Sequence, residues 1–201
     1  LSPGLPELDN AAAPEALQSV PTLFSQEKFA LPSNLPERPL VRDMLNKIPS
    51  SEDMQQANDQ RLRLAQAYLS MGMGPEALAL IDGVRRSDIG FYRSGKVAAL
   101  RGAANFLLQR YNEALRDFNA SELNNNKETD FWRNMLSDLL GKEGSYDYLA
   151  MHNDYISQYP PVFQQKIAVV AADRAVDTKE YNIAIKIFET LTQSEAATDE
   201  E

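Results

Sequence analysis

From residue 54 to residue 193, apolar side chains recur at spacings of three and four. Leu62, Ala65, Tyr68 and Leu69 fall on one helical face, and Leu78, Ile81 and Val84 fall on another. That spacing belongs to helices buried along one stripe. Helix breakers punctuate the runs at Gly72 and Pro75, Gly83, Gly90, Gly95, Asn124 to Asn126, Gly141, Gly144 and the pair Pro160-Pro161. No stretch sustains the alternation of apolar and polar positions that marks a strand, so the pattern predicts an all-α protein.

Residues 1–50 read differently. They hold eight of the 11 prolines, and proline removes a backbone donor and pushes the preceding residue out of the helical region. The segment reads as an extended linker. Yet Leu23, Phe24, Phe29, Leu31, Leu35, Leu40 and Val41 punctuate it, and a free linker has little use for them. They predict a strap lying along the folded part through Phe24, Phe29 and Leu31, with one short helix over residues 40–48. Residues 51–193 form the helical body. Residues 194–201 are small and acidic and read as a flexible tail.

The helical part repeats itself. Met73-Gly74-Pro75-Glu76-Ala77-Leu78, Tyr111-Asn112-Glu113-Ala114-Leu115 and Tyr181-Asn182-Ile183-Ala184-Ile185 share an alanine at one register. A large apolar residue follows each alanine by four positions (Ile81, Phe118, Phe188), and a small residue precedes each by twelve (Ala65, Gly102, Ala172). Small residues on facing helices let two backbones approach closely, and the large residue fills the space beside them. Self-similarity at such a period predicts stacked helical hairpins.

These residues resemble the tetratricopeptide repeat. Leu64, Ala65, Tyr68, Ala77 and Ile81 match its pattern in a first unit, and Gly102, Ala114 and Phe118 in a second. A third unit opens at Trp132, Met135, Leu136 and Leu139 and ends at Pro160, but has Tyr148 and His152 where alanine and phenylalanine belong. Ala171, Ala172, Ala175, Ala184 and Phe188 match a fourth. The markers Ala77, Ala114, Tyr148 and Ala184 lie 37, 34 and 36 residues apart. The resemblance implies a short right-handed α-solenoid of about four hairpins. It also implies a concave partner groove, which here would comprise Leu62, Gln66, Leu69, Ala99, Ala103, Phe106, Arg133, Ser137, Val169 and Asp173. The family's Lys-and-Asn carboxylate clamp is not present, because its positions hold Leu62, Gln66, Leu100, Asp130 and Asn134.

Composition narrows the chemistry. The net charge of −9 repels a phosphate backbone and an anionic membrane surface alike. With no cysteine and one histidine, His152, the chain has no thiolate nucleophile and cannot form a two-imidazole metal site. Its longest apolar run, residues 167–172, is far below the roughly 18 residues of a membrane span. Gly90-Phe91-Tyr92-Arg93-Ser94-Gly95-Lys96-Val97 nearly spells a phosphate-binding loop. However, Val97 replaces the magnesium-binding hydroxyl and a helix precedes it, so it reads as a loop between helices. His152 falls at a core position of the repeat, and Asp154 is two residues away on another face.

The resulting expectation is a non-catalytic scaffold or adaptor, with no cofactor and no metal, holding a protein or peptide partner. The alternatives are a helical accessory or regulatory domain of an enzyme complex and a structural protein that self-associates through an open fourth hairpin. The start at Leu1 reads as a piece of a longer protein. The alanine-rich helix-turn style points to a bacterial source. Together with the lack of cysteine, it leans toward the periplasmic side of the cell envelope, with the cytoplasm as the alternative.

Overall fold

A computed structural model of the chain describes residues 23–24, 53–142, 153–156, 158–182 and 185. Among them the protein is all-helical: α1 (Met54–Ser70), α2 (Gly74–Ser87), α3 (Ile89–Tyr92), α4 (Gly95–Leu107), α5 (Tyr111–Phe118), α6 (Lys127–Leu139), α7 (Asn153–Ile156) and α8 (Pro161–Asp177). A 3₁₀ turn, Ser121–Leu123, lies between α5 and α6. No helix among the described residues is long and apolar enough to cross a membrane.

The helix starts follow from local chemistry. The side chains of Asp53, Ser94 and Asn126 accept from the backbone N–H groups of Gln55, Val97 and Thr129, capping α1, α4 and α6. Ser94, the hydroxyl of the near phosphate-loop sequence, is therefore spent as a helix cap. Pro75 and Pro161 sit in the first turns of α2 and α8, where a missing N–H costs nothing.

One type of helix closure recurs along the described residues. Gly72, Gln109, Gly141 and Lys179 have φ of +75°, +58°, +65° and +65°, and each ends a helix. At each, the N–H of this residue and the next return to the last helical carbonyls: Gly72 to Leu69 and Met73 to Tyr68, Gln109 to Phe106 and Arg110 to Asn105, Gly141 to Asp138 and Lys142 to Ser137, Lys179 to Val176 and Glu180 to Ala175. This left-handed Schellman closure reverses the chain direction. The four closures lie 37, 32 and 38 residues apart. The first two join α1 to α2 and α4 to α5 as packed hairpins, and after the fourth Tyr181, Asn182 and Ile185 are again helical. The third leads into residues outside the description, which include Tyr148 and His152.

Packing runs in chain order, with α2 on α4 and α5 on α6, around one continuous apolar core. Among the described glycines the tightest is Gly102 on α4, where an added Cβ would lie 2.8 Å from the Phe118 ring on α5. Phe118 is fully buried and stacked at 5.0 Å on Trp132 of α6, so its ring has no room to retreat. Gly102→Ala is thus expected to lose about 1–2 kcal/mol, because overpacking outweighs the roughly 1 kcal/mol that alanine offers a helix interior. Urea unfolding measures this, and a more stable variant would show that the hairpin has slack.

A polar clamp joins the same pair of helices. Asp117 on α5, 2% exposed, accepts from Arg101 Nε at 2.8 Å and Asn105 Nδ2 at 2.9 Å, both on α4. The Arg101 guanidinium also lies 5.0 Å from the Tyr92 ring centroid, extending the clamp to α3.

Helix α8 touches α1, the turn that closes it, and α6. Val162 stands 3.0 Å from where a Cβ on Gly72 would be, and Arg174 pairs with Asp138 of α6 at 3.4 Å.

Candidate functional site

Six of the ten expected groove residues are interior. Leu62, Leu69, Ala103 and Phe106 are fully buried, and Ala99 and Gln66 are 2% and 9% exposed. Their apolar stripe belongs to the common core, so these positions do not form an open groove in this structure. Phe106 packs at 5.1 Å against Trp132 and 6.1 Å from Tyr111, and a charge placed there would test the fold, not a surface. Arg133 is half-buried and donates Nε to the Phe118 carbonyl at 2.9 Å, and Ser137 is half-buried. Val169 and Asp173, on α8, are exposed.

What the structure does hold is an aromatic cradle with an occupant. Trp132 is sandwiched between Phe118 at 5.0 Å and Tyr159 at 5.9 Å, the planes within 9° and 13° of parallel. Phe24, from the proline-rich segment, meets all three rings edge-on at 6.2, 5.7 and 5.8 Å. Its face stacks on Phe163 of α8 at 6.1 Å. These offset and edge-to-face geometries are the favourable ones for aromatic quadrupoles. Phe24 is fully buried. One expected strap contact is therefore formed, while Phe29 and Leu31 lie outside the described residues.

A buried carboxylate completes the cradle. Glu128, 2% exposed, sits in the first turn of α6, where the helix dipole favours negative charge. It accepts from the backbone N–H of Leu23 and, at 2.8 Å, from the Tyr159 hydroxyl. That hydroxyl accepts in turn from Trp132 Nε1 at 3.2 Å. Tyr159 precedes Pro160-Pro161, which restrict its backbone, and its carbonyl accepts from Gln164 Nε2 at 2.7 Å. The cradle thus reads two features of Leu23-Phe24, a backbone N–H and a phenyl ring.

Burial, and then the neighbouring carboxylate of Glu128, hold the Tyr159 phenol well above its ordinary value of 10.0. In the unfolded chain that phenol ionises near the ordinary value, whereas in the fold it keeps its proton. Its contribution to stability is complete below about pH 10 and is lost as pH rises beyond, at about 1.4 kcal/mol per pH unit. Tyr159→Phe should flatten the alkaline limb of a stability profile measured by urea unfolding from pH 8 to 11. An identical limb in the variant would contradict the assignment.

Trp132 and Phe118 stand out in the sequence as repeat positions and Phe24 as a strap residue, but Glu128, Tyr159 and Phe163 do not. The one available signal for Tyr159 was its place before the double proline. Set against described protein families, curated proteins and solved structures, the chain matches none.

Proposed function

We propose that this chain is a non-catalytic protein–protein interaction module, a scaffold or adaptor built from tetratricopeptide-like hairpins stacked as a short α-solenoid. The observation that carries this reading is the seating of Leu23-Phe24. A helical body holds a short peptide segment by an aromatic anchor and a backbone hydrogen bond. The recurrence of one helix closure at Gly72, Gln109, Gly141 and Lys179 supports the repeat reading.

The face offered for testing is the exposed side of α8, where Val169 and Val176 are 45% and 48% exposed and lie two helical turns apart. A photo-crosslinking amino acid at Val169 in the full chain, compared with one at exposed Arg63, should trap a defined protein at Val169 alone. Equal trapping at both positions, or none at either, would sink the reading.

A second reading has its own observation. Tyr181 and Ile185 continue the exposed apolar positions of Val169 and Val176 past the last described closure, at 56% and 54% exposure. A self-associating chain would use them. Light scattering across a hundredfold range of concentration separates this reading from the first, because a constant monomer mass excludes it.

A further inference from the structure

We propose that the cradle around Phe24 is an exchangeable peptide-binding site, with Leu23-Phe24 as its resident ligand. Its other ligand is a segment of a partner protein offering a free backbone N–H immediately before a phenylalanine. This rests on the reading of the chain as an interaction module and deepens it, because it names what the module recognises.

The socket and its plug come from distant parts of the chain. Every socket group lies between residues 118 and 163, while the N–H that Glu128 accepts lies 105 residues before it. Twenty-eight residues, 25–52, separate the plug from the cap of α1 at Asp53. Because plug and socket belong to one chain, seating is intramolecular, and an effective concentration of about millimolar keeps a plug of weak intrinsic affinity seated until a stronger or more abundant ligand arrives.

The recognition elements are generic in one respect and selective in two. A backbone N–H is offered by every residue except proline, so Glu128 excludes proline before the anchor. The anchor position is fully buried against the rings of Phe118, Trp132, Tyr159 and Phe163, which selects a flat apolar side chain of phenyl size. Glu128 is a group that a purely apolar core would not place here. A carboxylate that is 2% exposed needs donors, and one of its donors is the main chain of the plug.

The test uses the full chain and a fluorescent peptide of residues 19–28, which contains Leu23 and Phe24. It should bind the Phe24→Ala chain at least about tenfold more tightly than the wild type, whose seat is filled. The peptide carrying Phe24→Ala should not bind. The peptide N-methylated at Leu23 should bind about tenfold more weakly than the parent peptide to a chain that has Glu128, and equally with it to the Phe24→Ala, Glu128→Ala chain. If Phe24→Ala melts early, the peptide added in excess should restore its melting temperature. Failure to bind a folded Phe24→Ala chain, failure to restore an unfolded one, or equal binding to variant and wild type overturns the proposal. So does a stable dimer of the wild type that dissociates on adding the peptide, since the seat would then belong to a second copy. Crosslinking at Val169 is read on the same variants. If it persists while the peptide fails to bind, the seat is wrong and the module reading stands. If the peptide binds and no protein is trapped, the module reading alone fails.

Discussion

Trp132→Ala is expected to lower the stability of the folded chain by about 3–5 kcal/mol, the largest effect of any single truncation here. Trp132 is fully buried and is the hub of the aromatic core. Phe118 and Tyr159 stack on its two faces, and Phe24, Phe106, Phe131 and Phe163 approach it edge-on. Truncation leaves a cavity between α5, α6 and α8 that these flat rings cannot close. It also removes the indole N–H that donates to Tyr159. Proteins of this kind hold only about 5–15 kcal/mol in total, so the loss is a large fraction of the whole. Urea unfolding followed by helical circular dichroism gives the number. A loss under about 1 kcal/mol would mean that the indole is not in this core.

The second large effect is that of Phe24→Ala, about 2–4 kcal/mol. The ring is as buried as that of Trp132, but it reaches the core from a segment remote in sequence from the rings it meets. Releasing it returns conformational freedom to that segment, which offsets part of the lost burial. The variant should therefore keep its helical content and lose cooperativity mainly around α6 and α8. The sign that distinguishes it from Trp132→Ala is hydrogen exchange: faster at Leu23 and in the first turn of α8, and unchanged in α1 and α2. Acceleration throughout would show that Phe24 belongs to the general core and not to a separate seat.

Much of the helical layout was legible because its causes are local. The breakers at Gly72, Pro75, Asn124 to Asn126, Gly141 and Pro160-Pro161 fall where helices start or stop, and the spacing of Ala65, Leu69, Ala77 and Ile81 marks a hairpin. The closures at Gly72 and Gly141 could be read from glycine. Those at Gln109 and Lys179 could not, since a left-handed residue with a side chain leaves no compositional mark. The interior placement of six groove positions was not legible for a different reason. An apolar stripe such as Leu62, Leu69 and Phe106 says that something covers it, but not whether the cover is a partner or the same chain. Glu128 was invisible because a carboxylate in a first helical turn ordinarily faces water. Only the fold brings Tyr159 and the Leu23 N–H to it.

Trp132 is the only tryptophan of the chain, so its fluorescence reports on the cradle alone. The most direct measurement is acrylamide quenching of that emission in wild type and Phe24→Ala under conditions where both retain native circular dichroism. With Phe24 seated on the stack, the wild type should emit to the blue and resist quenching. The variant should emit to the red and quench several-fold more strongly, as solvent reaches the indole edge that Phe24 covers. Identical spectra and quenching in the two proteins would contradict the seating of Phe24, and with it the claim that this helical body holds a peptide segment.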